Sequence, residues 1–141
     1  MGAAQTILIV DDDVDFIATG RAALESAGYR VVAADDAESG FAAAMAERPG
    51  LILLDLMMEE TDSGVRLAHQ LRREPATKDI PIVILTGVRR ATGFDFTPIT
   101  REDYEWIGAD AWVEKPVAPR ALAGLAARVL EPRPDDGGEA S

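Results

Sequence analysis

Four short apolar runs recur along the chain, and each ends on polar chemistry. Ile7-Leu8-Ile9-Val10 runs into Asp11-Asp12-Asp13, and Leu51-Ile52-Leu53-Leu54 ends on Asp55. Ile82-Val83-Ile84-Leu85 ends on Thr86, and Ala111-Trp112-Val113-Glu114 delivers Lys115-Pro116. Unbroken apolar runs of this length read as strands covered on both faces. A fifth extended run is expected over Tyr29 to Ala34.

The stretches between them carry apolar residues at helical spacing. Phe16, Ile17, Ala23, Leu24 and Ala27 fit a first helix, with Asp13 or Asp15 to cap its start and Gly28 to end it. A second is predicted from near Asp36 through Phe41, Ala44 and Met45 to Arg48, stopped by Pro49-Gly50. A third fits Gly64 to Glu74 ahead of Pro75, and a last one Pro119 to Leu130. Residues 87–110 are long for a connection: Arg101 to Ile107 suits a short helix, while Arg89 to Pro98 reads as a loop. Strand and helix thus alternate, which predicts a parallel sheet with helices on both faces, since each parallel crossover needs a dozen or more residues. Residues 1–130 are expected to form one domain, and the polar tail 131–141 is expected to be disordered, having almost nothing to bury.

Composition narrows the function. A net charge of -11 opposes approach to a phosphate backbone, so direct nucleic-acid binding is not expected. No apolar stretch is long enough to cross a bilayer, the N-terminus lacks the pattern of a secretory signal, and there is no cysteine. A cytoplasmic protein without disulfides or membrane contact is the expectation.

Ligands of parallel α/β sheets bind beyond the carboxyl ends of the strands, where acids, hydroxyl and amine should converge. Strand-end carboxylates suit a hard divalent ion such as Mg2+, with Asp12 and Asp55 as the natural pair. A carboxylate beside such an ion can also act as the nucleophile toward phosphorus, with Thr86 and Lys115 binding the oxygens of the transferred group. Lysine is scarce: twelve of the fourteen basic residues are arginine, leaving only Lys78 and Lys115, which draws attention to Lys115. Its bond to Pro116 is a candidate cis peptide. Asp13 and Asp15 read as solvated helix-capping residues, and His69 is given no role.

These blocks resemble the receiver domains of two-component response regulators. The similarity rests on Ile7 to Asp12, Leu53 to Met58, Leu85-Thr86 and Val113 to Pro116, in family order. It implies a flavodoxin-like fold, a five-stranded parallel sheet of order 2-1-3-4-5. It further implies Asp55 as phosphoacceptor, with Asp11, Asp12, Asp55 and the backbone carbonyl of Met57 holding Mg2+. Thr86 and Lys115 would contact the phosphoryl group, and Trp112 falls at the aromatic switch position. The implied function is a single-domain, non-enzymatic response regulator, phosphorylated by a sensor histidine kinase or phosphotransfer protein and switching its affinity for a downstream protein. Three features depart from the family pattern: the acidic segment Glu59 to Gly64 is about one residue longer, Gly87 follows the threonine where alanine is more usual, and the segment 87–110 before the last strand carries a larger insertion, in the part where the family meets its partners. Met57 and Val88 stand where the family tunes dephosphorylation, and their apolar character implies a long-lived phosphoryl group.

Three rivals remain. A haloacid dehalogenase-type phosphatase would use Asp11 as nucleophile in an Asp-x-Asp opening, although Asp15 stands where that motif wants threonine or valine. A receiver-like binding module would signal without phosphorylation. The chain is alternatively the receiver part of a longer protein.

Overall fold

In the computed structural model the described residues are 5–55, 63–86, 111–114 and 118–130. Five strands, β1 (Thr6–Val10), β2 (Arg30–Ala34), β3 (Leu51–Asp55), β4 (Ile82–Thr86) and β5 (Ala111–Glu114), form one parallel sheet. Its order is β2-β1-β3-β4-β5, as the resemblance implies. Four helices are described: α1 (Val14–Ser26), α2 (Ala37–Glu47), α3 (Ser63–Arg73) and α4 (Pro119–Leu130). The expected short helix at 101–107, the loop before it and the tail 131–141 lie outside the described residues, as does the Lys115-Pro116 bond.

The apolar runs are continuous because both faces of the sheet are covered. Side chains alternate along a strand, so Leu8, Val10, Ile52, Leu54, Ile82 and Ile84 point one way, against Ala44 of α2 and Leu67, Ala68 and Leu71 of α3. Ile7, Ile9, Leu51, Leu53, Val83 and Leu85 point the other way, against Leu24 of α1 and Leu122, Leu125 and Ala126 of α4. Each fully buried Leu or Ile contributes about 1.5–3 kcal/mol relative to an exposed one. Two cores pressing on one sheet fix its register and therefore what stands at its carboxyl edge.

Local chemistry sets the helix ends. The Asp13 carboxylate accepts the N–H groups of Asp15 (3.0 Å) and Phe16 (3.2 Å), which makes Asp13 the N-cap of α1. At the far end Gly28 takes φ 102°, a left-handed conformation that glycine adopts without strain. Helix α2 ends differently: Arg48 itself takes φ 47° and donates its N–H to the Ala44 carbonyl. Behind α3, the buried Thr77 donates its hydroxyl to the Leu71 carbonyl at 2.7 Å. Arg72 reaches the carbonyls of Lys78 and Ile80, both at 2.8 Å, and ties the turn to the start of β4.

Asp36 caps α2 by accepting the Ser39 N–H and the Ser39 hydroxyl, both at 2.7 Å. The backbone N–H and, next, the hydroxyl hold its carboxyl below the ordinary aspartate range. The folded state therefore binds this proton less readily than the unfolded chain. The cap's contribution is present above the ordinary carboxylate range and is lost as pH falls through the lowered value. An NMR titration of the side-chain carboxyl should place Asp36 below a denatured-state reference, and Ser39→Ala should move it back up.

Candidate functional site

The ladder itself brings the acids together. Strands β1 and β3 pair in parallel up to Val10↔Leu54, so one further step sets Asp11 beside Asp55. Asp11 donates its backbone N–H to the Ala34 carbonyl at 3.0 Å, which extends the pairing with β2 past the end of β1. Both carboxyl-bearing residues are withdrawn from water: Asp11 is 0% and Asp55 3% exposed. Asp12 is exposed at the rim. Carboxylate oxygens of Asp11, Asp12 and Asp55 lie within 4.8 Å of one another.

Such an arrangement is costly without a cation. Two full charges at that separation repel by about 3 kcal/mol at an effective dielectric of about 20. The donor set fits a hard divalent ion: three carboxylates supply only oxygen, the exposed Asp12 leaves one side open to water, and no softer ligand stands among them. The turn is also locally ordered, since Oδ1 of Asp11 accepts the Asp13 N–H at 2.9 Å. This contact escaped the sequence reading, although an aspartate bonding the amide two residues on is a common turn device.

The Asp12 and Asp55 pair read from the strand ends is joined by Asp11, which the resemblance already implied, and Asp11 is the buried neighbour of Asp55. Thr86 stands at the end of β4, paired with Glu114 of β5, so the next residue after that pair is Lys115. The side chain of Thr86, and Lys115 and Met57 altogether, lie outside the described residues. Trp112 is placed in β5 opposite Ile84, with its side chain outside the description too. Val88 likewise lies outside the described residues. His69 is half-buried in α3.

A family model described as the response regulator receiver domain matches residues 7–127, which span both acid-bearing strands and all four described helices up to the last turn. The chain belongs to that family. Among solved structures, the receiver is similar to the Vibrio cholerae chemotaxis protein CheY4, with a TM-score of 0.78 and 27% identity over 91% of this chain and 100% of that one. A response regulator protein from Burkholderia multivorans is 35% identical with a TM-score of 0.70, covering 92% of this chain and 98% of that one. The phosphate regulon transcriptional regulatory protein PhoB of Pseudomonas aeruginosa is 39% identical over 126 residues, 89% of this chain and 52% of the relative. The receiver spans about half the length of the curated relatives it matches. It is a response regulator receiver domain of two-component systems, and such domains bind Mg2+ at an acidic pocket like the one formed by Asp11, Asp12 and Asp55. No helix among the described residues is long and apolar enough to cross a membrane.

Proposed function

We propose that this receiver takes a phosphoryl group on Asp55 from the phosphohistidine of a sensor kinase or phosphotransfer protein, and that the resulting change alters its affinity for a protein partner. The reading is carried by one observation, the convergence of the Asp11, Asp12 and Asp55 carboxylates at adjacent strand ends. An Asp55 oxygen attacks phosphorus, a P–O bond forms, the P–N bond to the donor imidazole breaks, and the leaving nitrogen takes up a proton. Water later attacks the same phosphorus and returns the carboxylate with release of inorganic phosphate. When bound, Mg2+ supplies positive charge to the phosphoryl oxygens. Asp11, Asp12, Asp55 and the Met57 carbonyl would hold that ion. Lys115 and Thr86 bind the remaining phosphoryl oxygens, and Trp112 reports the change toward the β5 edge. The protein is a switch, not a turnover enzyme, and it works in the cytoplasm.

Labelling with radioactive acetyl phosphate tests the assignment. Wild type should form a Mg2+-dependent acyl phosphate that hydroxylamine cleaves, and Asp55→Asn should lower it at least about a hundredfold, because the amide is no nucleophile. Undiminished labelling of that variant, or labelling that maps to Asp11, would overturn the assignment, the latter in favour of a phosphatase.

A stand-alone role is supported by the full coverage of the CheY4 chain. A second reading, the receiver half of a longer regulator, is favoured by the 52% coverage of PhoB, a transcriptional regulatory protein. With a net charge of -11 this portion is not expected to meet DNA itself. The complete reading frame separates the two, and pull-down with and without beryllofluoride then identifies a protein partner.

A further inference from the structure

We propose that Asp13 is a positioning residue for the divalent cation, acting through the cap of α1 and not through its charge. The proposal rests on the receiver reading of Asp11, Asp12 and Asp55. Asp12 is exposed, so its direction toward the other two acids is set by the backbone on either side of it. That backbone is held by a relay of contacts. The Asp13 N–H donates to Oδ1 of the buried Asp11 at 2.9 Å, and Oδ1 of Asp13 accepts the N–H groups of Asp15 and Phe16 at 3.0 and 3.2 Å. The Asp13 carbonyl accepts the Ile17 N–H at 3.0 Å, so the residue closes the first turn of α1 from both ends of its own backbone unit.

Helix α1 in turn is fixed to the sheet. Phe16 and Ile17 pack against the core shared with α4, and a Cβ on Gly20 would stand 3.3 Å from Leu122 and 3.6 Å from Ile9. The chain therefore runs from a rigid strand, through two residues that bear the acids, into a rigid helix. Asp13 is the clamp at the helix side. Its carboxylate is not among those that gather within 4.8 Å, because it is turned to the helix N-terminus. Losing the clamp lets the first turn of α1 fray and lets Asp12 sample directions away from the site. Losing only the charge should not.

Calorimetric Mg2+ titration of the whole chain, with temperature held well below every variant's midpoint, tests this. Asp13→Ala should weaken Mg2+ binding by about fivefold, the scale of a lost N-cap. Asp13→Ser and Asp13→Asn, which cap without charge, should stay within about twofold of wild type. Equal weakening in all three variants would assign the effect to charge and overturn the proposal. A lowered midpoint in Asp13→Ala with unchanged Mg2+ affinity would reduce Asp13 to a structural cap and overturn it too. Should Asp13→Ala not fold, weakening in either capping variant is still a refutation. Wild type that binds no Mg2+ would instead bring down the metal reading on which the proposal stands.

Discussion

Millimolar Mg2+ should raise the thermal midpoint of the wild-type chain by several degrees over ionic-strength-matched sodium chloride, and Asp11→Asn should lose most of that increment. It should also gain stability without Mg2+. The reason is the same in both directions. Asp11 and Asp55 are almost wholly buried on adjacent strands, and their oxygens lie within 4.8 Å of each other and of Asp12. Removing one charge from the buried pair relieves repulsion of about 3 kcal/mol at an effective dielectric of about 20. Rearrangement of the surrounding side chains and water reduces the realised gain, so about 1–2 kcal/mol is the expected increase in metal-free stability. Asparagine keeps a carbonyl oxygen where Oδ1 of Asp11 accepts the Asp13 N–H, so the turn survives the change. An ion present at ten times its Kd stabilises the wild type by about 1.4 kcal/mol, a shift of about 3–5 °C for a domain of this size. Scanning calorimetry with and without Mg2+ on both proteins measures all four values. If Asp11→Asn is less stable than wild type without the ion, or keeps the full increment with it, the three acids do not share a cation.

The sheet was legible because two helix layers demand unbroken apolar strands. Ile7–Val10, Leu51–Leu54 and Ile82–Leu85 are buried throughout. The caps Asp13 and Asp36 were legible for a related reason: an acid just before a periodic apolar stretch has orphan N–H groups to satisfy. Periodicity missed features that depend on residues brought together by the fold. Pro49-Gly50 marked the end of α2, yet the left-handed residue is Arg48. Nothing local required Thr77 to be buried; it is so because its hydroxyl reaches the Leu71 carbonyl across the turn after α3. The acidic site was half legible. Strand ends named Asp12 and Asp55 and the resemblance added Asp11, but only the register between β1 and β3, a long-range property, decides that Asp11 is the buried neighbour. Asp12, one residue later, falls on the rim and so remains available to a cation entering from water.

Close packing of α2 on β1 and α3 makes one glycine costly to replace. Gly40 sits in the first half of α2, where glycine costs about 0.5–1 kcal/mol relative to alanine, so a packing reason must outweigh the propensity. A Cβ there would stand 3.1 Å from Cδ2 of Leu67 and 3.1 Å from both Cγ atoms of Val10. Leu67 and Val10 are fully buried, and the branched valine has little rotamer freedom with which to retreat. Gly40→Ala is therefore expected to be net destabilising by about 1–2 kcal/mol despite its better propensity, and Gly40→Val by about 3 kcal/mol or more, as α2 is forced off β1. Gly124 provides the internal control, since it lies in α4 with nothing within 4 Å of an added Cβ. There alanine should stabilise by about 0.5–1 kcal/mol, through helix propensity alone. Urea unfolding of the three variants should give opposite signs at the two positions with an unchanged m-value. A stabilising Gly40→Ala would mean that α2 does not press on β1 as closely as the 3.1 Å approaches indicate. Because Val10 immediately precedes Asp11, a displaced α2 should also loosen the acidic site. Gly40→Val, studied at a temperature where it remains folded, is accordingly expected to bind Mg2+ more weakly than wild type, whereas Gly124→Ala is expected to match it.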